Sequence, residues 1–97
     1  MILEFLPQAS EEAAEATTYF EARESGLGAR FRQEIEKASA PILRDPLLWR
    51  ERHGLYRRVN VAGFPYYIAY FIRGERLLIA AVGHVSRHPD HSKTPAA

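Results

Sequence analysis

Phe64-Pro65-Tyr66-Tyr67-Ile68-Ala69-Tyr70-Phe71-Ile72-Arg73-Gly74-Glu75-Arg76-Leu77-Leu78-Ile79-Ala80-Ala81-Val82 decides how the chain folds. Residues 66–72 and 77–82 are uninterrupted apolar runs rich in aromatic and branched side chains, the residues that fit a pleated surface. Arg73-Gly74-Glu75-Arg76 between them reads as a hairpin turn. Neither run has the alternation of a strand with one wet face, so both belong inside a sheet. Upstream, Leu55, Val59 and Val61 alternate with Tyr56, Arg58 and Asn60, while Arg57 falls on the apolar side. Ala62-Gly63-Phe64-Pro65 then breaks the pattern. Three consecutive strands with short links make an antiparallel meander, which must bury one face against something else.

The first half supplies the cover. Ala9, Ala13, Ala16 and Phe20 recur at steps of four, three and four, one stripe of a helix running to about Glu24. Ser10, with Glu11 and Glu12 after it, reads as an N-cap and an acidic first turn. Ser25-Gly26 and Gly28 punctuate. A second stripe follows in Leu27, Phe31, Ile35, Ala38 and Ile42, and Pro41 is expected to end or kink that helix. Two amphipathic helices joined by a tight turn form an antiparallel hairpin. Ile2 to Leu6, stopped by Pro7, reads as a short strand completing the sheet beside a later strand. The expected class is α+β in the order β-α-α-β-β-β, with the helical hairpin on one face of a small antiparallel sheet. Residues 43–53, with Pro46 and Trp49, read as a loop.

Ninety-seven residues make a single domain, residues 1–97, with a polar tail from about residue 90. A chain of this size buries only about 60% of its unfolded surface, so its core is small. The absence of cysteine excludes disulfides, a thiol nucleophile and thiolate metal sites, and fits a reducing compartment. No signal-peptide pattern or apolar span of about 20 residues is present, so a cytoplasmic protein without a membrane partner is expected. The net charge of +1 hides an asymmetry. Residues 1–48 carry nine acids against five bases, and residues 49–97 carry three acids against eight bases. Eleven of the thirteen bases are arginine, suited to bidentate pairing with carboxylate or phosphate, so a basic face for an acidic partner or nucleic acid stands beside a merely solvated surface.

His84, His88 and His91 have the spacing of helical metal ligands, but Pro89 interrupts them and no carboxylate cluster joins them. No metal or other cofactor is expected. Ser86 and Ser92 lack a nucleophile elbow, no glycine run cradles a phosphate, and Glu11 and Glu12 are accounted for by the helix start. The remaining cluster is basic and aromatic: Arg57, Arg58, Tyr66, Tyr67, Tyr70, His84, Arg87 and His88. Arginine at a phosphate, an aromatic under a base and an acid–base group near a 2′-hydroxyl are what an RNA-cleaving site needs, and Arg58, Tyr67 and His84 are of those types. For Tyr66 and Tyr70 the favoured reading is core packing with the hydroxyls exposed.

Phe5-Leu6-Pro7-Gln8-Ala9, Tyr19-Phe20-Glu21, Gly26 to Phe31, the Pro46 to Trp49 loop, Arg57-Arg58, Phe64 to Tyr70, Ile79 to His84 and Arg87-His88-Pro89 span nearly the whole chain in order. Together they resemble the RelE/ParE superfamily of toxins of type II toxin–antitoxin systems, and more closely its ParE branch. The resemblance implies a helical hairpin on a small sheet and a growth-inhibiting toxin neutralised by a cognate, ParD-like antitoxin encoded beside it. ParE-like members poison DNA gyrase, without covalent chemistry of their own, whereas RelE-like members cut mRNA on the ribosome. In that ribonuclease branch, basic residues stand where this chain has Arg58 and Asn60, arginines where it has Tyr67 and Val85, and a tyrosine near His91. Only Arg58 keeps its type, so the resemblance points to the gyrase-binding branch. If the chain were a nuclease, Arg58, Tyr67, His84, Arg87 and His91 would be its catalytic candidates. An inactive, antitoxin-binding regulatory member is a further alternative. For antitoxin binding the expected residues are Leu48, Trp49, Arg57 and Arg58.

Overall fold

The computed structural model describes residues 1–87. The tail expected from about residue 90, and with it His88 and His91, lies outside the described residues. The elements run β1 (Ile2–Phe5), α1 (Pro7–Arg23), α2 (Leu27–Arg44), β2 (Arg57–Asn60), β3 (Tyr66–Arg73), β4 (Arg76–His84) and a 3-10 turn, η1 (Val85–Arg87). The expected order and α+β class hold. The sheet has the spatial order β1-β4-β3-β2.

β2, β3 and β4 form the expected antiparallel meander. In one respect the sheet departs from expectation: β1 runs parallel to β4, with Leu3 opposite Leu77 and Phe5 opposite Ile79, so the sheet is mixed. Because β2 and β4 both run opposite to β3, β1 shares the direction of β2 as well, and it lies at the free edge of the meander.

β4 carries a bulge. Tyr70 pairs with Ile79 and Ala69 with Ala81, which leaves Ala80 as the extra residue. The added residue turns Leu77, Ile79 and Val82 all into the core despite their uneven spacing. On the helix side, Ala9, Ala13, Ala16 and Phe20 of α1 and Phe31, Ile35 and Ile42 of α2 meet Val59, Val61, Tyr66, Ile68 and Tyr70. Both predicted stripes are therefore the buried ones. The alanines let α1 lie close over β4, and the rings of Phe20, Phe31, Phe64 and Tyr66 interlock with centroids 4.9–5.8 Å apart.

Three local expectations change. α1 starts at Pro7 rather than after Ser10, because β1 pairing extends through Leu6 N–H to the Ile79 carbonyl (2.9 Å) and Pro7 supplies a helical φ at the first position. α2 runs through Pro41 to Arg44. The proline falls in the last turn, and buried Ile42 and the Asp45 N–H to Pro41 carbonyl bond (2.9 Å) hold that turn in place. With that start Ser10 is not the N-cap and Glu11 and Glu12 lie beyond the first turn, and Glu12 has a different role. Its Oε1 accepts the Val82 N–H at 2.8 Å, standing in for the strand partner that β4 lacks beyond the end of β1.

The start of α2 has no side-chain cap of its own. Glu21 of α1 supplies it, accepting the N–H groups of Gly26 and Gly28, each at 3.0 Å. Gly28 is required by space: a Cβ there would lie 2.8 Å from the Thr17 carbonyl oxygen of α1. Replacing Gly28 with Ala should therefore force the helices apart and lower stability by about 1–2 kcal/mol, against the helix preference of alanine. Glu21→Ala should cost about 1 kcal/mol through loss of the cap. Thermal denaturation of the two variants checks both values.

Candidate functional site

Alternation along the strands sorts the expected site residues onto two faces. Val59, Tyr66, Ile68 and Tyr70 point to the helices; Arg58, Tyr67, Ala69 and Phe71 point away. No helix covers the second face among the described residues. Its own side chains do so instead. Tyr67 pairs with Gly83 of β4, and a Cβ on Gly83 would fall 2.5 Å from the Tyr67 ring tip, so the ring lies over the glycine. The Arg58 guanidinium then covers the ring, 4.1 Å from its centroid, and Tyr67 is only 5% exposed. Arg73 lies 5.2 Å from the Phe71 ring centroid in the same manner. Arg76 donates to Glu4 Oε1 at 2.6 Å. Long arginine stems often shield apolar surface while the charged heads stay wet, and here Ala69 and Leu78 are buried without a second layer above them.

His84 belongs to the other face. It pairs with Tyr66, and the two rings meet edge to face with centroids 5.2 Å apart. Its Nδ1 accepts the backbone N–H of Ser86 (3.1 Å) and lies within hydrogen-bond distance of the Ser86 hydroxyl (2.7 Å), at the start of η1. Beside it a groove of about 900 Å³ runs between α1, at Glu12, Tyr19 and Arg23, and the end of β4. The fold thus brings Arg58 and Tyr67 together and places His84 on the other face of the sheet, with Tyr67, Gly83 and His84 all bordering the groove at the end of β4. Arg87 follows in η1, and His91 is outside the described residues. Among the described residues, no group of three or more His, Asp or Glu side chains could hold a metal ion.

The loop between α2 and β2 makes a third feature. The Tyr70 hydroxyl donates to the Pro46 carbonyl at 2.7 Å, and Arg57 Nε donates to the Trp49 carbonyl at 2.8 Å. Tyr70, expected to leave its hydroxyl in water, is instead a fully buried latch for this loop. Trp49 packs its ring edge to face with Tyr70, 6.4 Å between centroids, and plugs the core margin. Leu47 and Leu48, by contrast, stand 66% and 65% exposed, with Leu43 also exposed nearby in sequence. Of the residues expected to bind an antitoxin, Leu48 is free to do so and Trp49 and Arg57 hold the loop that presents it. Arg58 is on the opposite face of β2. Phe71, Arg73 and Gly83 were not singled out from sequence; strict alternation from Arg58 and Tyr67 would have placed the first two, but the seat at Gly83 depends on strand pairing.

A family model of the ParE toxin of the type II toxin–antitoxin system parDE matches residues 3–89. The chain belongs to the ParE toxin family. A solved structure of the chromosomal ParDE toxin–antitoxin system from P. aeruginosa shares the fold, with a TM-score of 0.74 at 14% identity. The match covers 88% of this ParE chain and 96% of the other. No curated protein sequence matches. No helix among the described residues is long and apolar enough to cross a membrane.

The buried Tyr70 hydroxyl titrates above the usual tyrosine range, because burial raises its pKa and nearby Asp45 adds to the rise, against the lowering effect of Arg57. The folded state thus holds this proton more tightly than the unfolded chain does. Its contribution is complete below a pH of about 10 and is lost as pH climbs toward the folded value. Tyr70→Phe should lower stability by about 1 kcal/mol at neutral pH, since the Pro46 carbonyl loses its donor. The gap between wild type and Tyr70→Phe should narrow above a pH of about 10, as denaturant titrations across that range would reveal.

Proposed function

We propose that this ParE toxin arrests growth in the cytoplasm by binding DNA gyrase, and that a cognate ParD-like antitoxin encoded nearby neutralises it. The observation that carries the non-nucleolytic reading is that Arg58 and His84 belong to opposite faces of the sheet. A ribonuclease needs an acid–base group within hydrogen-bond reach of the reacting 2′-hydroxyl, beside the cation that holds the phosphate. Here the Arg58 guanidinium sits over the Tyr67 ring on one face, while the His84 ring engages Ser86 of η1 on the other. Tyr67 also stands where the ribonuclease branch has an arginine. Binding a protein target asks for none of that machinery.

The exposed Leu47 and Leu48 corner, backed by Trp49 and the Arg57 tether, is the best-supported antitoxin contact. Apolar side chains on a rigid loop, with arginines at the margin, suit the apolar stripe of an acidic partner segment. Leu48→Asp should weaken the complex at least about tenfold with little change in thermal stability, since the side chain is already in water. Trp49→Ala should act chiefly on stability. Calorimetric titration of the toxin with its antitoxin, alongside thermal melts, separates the two effects.

Purified toxin added to a gyrase supercoiling assay should inhibit at micromolar concentration, and addition of antitoxin should restore supercoiling. Transcripts from cells expressing the toxin should remain uncut, with Arg58→Ala making no difference to them. Discrete ribosome-dependent cuts lost in Arg58→Ala would instead establish the RelE-like nuclease, and expression without any growth defect would indicate the regulatory alternative.

A further inference from the structure

Leu47 and Leu48 lie in a loop that is tied down on both sides of them. The Tyr70 hydroxyl donates to the Pro46 carbonyl at 2.7 Å and Arg57 Nε to the Trp49 carbonyl at 2.8 Å. The Leu48 N–H closes a turn on the Asp45 carbonyl at 3.1 Å. The order of residues around the leucines has a symmetry that the other exposed apolar side chains lack. Counting outward from the Leu47–Leu48 peptide bond, Pro46 matches Trp49, Asp45 matches Arg50 and Arg44 matches Glu51. Both charged matches are of opposite sign. Arg44, Asp45, Arg50 and Glu51 are all exposed, and none of them forms an ion pair among the described residues.

A twofold contact uses the same patch on both molecules, so the patch must complement itself. When one such segment meets a second copy running antiparallel, each residue faces its match from the other end. Here that places acid against base at both charged positions and leucine against leucine at the centre. We propose that the free toxin forms a symmetric dimer through residues 44–51. Leu47 and Leu48 of the two copies pack about the twofold axis, Asp45 of each faces Arg50 of the other, and Arg44 faces Glu51. The leucines contribute the apolar burial, and a loop already fixed by three hydrogen bonds loses little freedom on association. The patch is small, so the dimer belongs to the weak, reversible class. The inference concerns the toxin without antitoxin, and either it or the antitoxin assignment can fail alone.

Sedimentation velocity of the free full-length toxin across a concentration series tests the dimer. The expected result is a monomer–dimer equilibrium in the micromolar range, with Leu48→Asp a monomer throughout. Asp45→Arg and Arg50→Glu should each weaken association at least about tenfold, because two symmetric contacts turn from attraction into repulsion. An equimolar mixture of these two variants should associate like wild type, since every reversed charge then meets its opposite. Thermal melts of the variants should match wild type, as the substituted side chains stand in water. A monomer at concentrations up to about 1 mM would overturn the proposal and, if Leu48→Asp still weakens antitoxin binding, leave the corner to the antitoxin alone. A dimer that survives Leu48→Asp, or charge variants that stay dissociated when mixed, would overturn it equally.

Discussion

Phe20, Phe31, Phe64 and Tyr66 come from both helices, the loop before β3 and β3 itself, and their interlocked rings join the two layers of the molecule. A domain this small has little other apolar material to spend on one contact. Edge-to-face aromatic pairs contribute about 0.5–1.5 kcal/mol each beyond the area they bury. With Ala9, Ala13 and Ala16 the cluster fixes how close α1 comes to β4, and with Gly28 how close the helices come to each other. The remaining features follow from that spacing. Glu21 can reach the start of α2, Glu12 can reach the edge of β4, and His84 meets Tyr66 edge to face.

Much of this frame was legible in the chain itself. The helical stripes were readable because burial on one side of a helix forces a period near four. The β3–β4 turn was readable because only a tight glycine-containing link joins two strongly apolar runs. What escaped were relations between distant residues. Nothing local tells β1 to lie parallel to β4, since a strand's pattern records which side is buried and not which neighbour it has. The bulge at Ala80 hides within a run where every residue is apolar. Glu12 looks like an ordinary first-turn acid until β4, seventy residues later, presents an amide to it.

The site was readable by residue type more than by arrangement. Arg58 and Tyr67 do meet, because they lie on the same side of neighbouring strands. His84 was grouped with them on chemistry, yet it sits one position beyond Gly83, the residue opposite Tyr67, and a shift of one residue moves a side chain to the other face. Trp49 shows the converse ambiguity. A lone loop tryptophan fits an exposed anchor or a core plug equally well, and the ring contact with Tyr70 makes it the plug, with Leu47 and Leu48 left as the exposed apolar side chains.

The Glu12 carboxylate at Val82 also bears on the margin of the sheet. β4 continues past the end of β1, and an unpaired strand margin is a template for added strands. By accepting the Val82 N–H, Glu12 occupies the amide that such a strand would need, so the contact that completes the fold also blunts that margin.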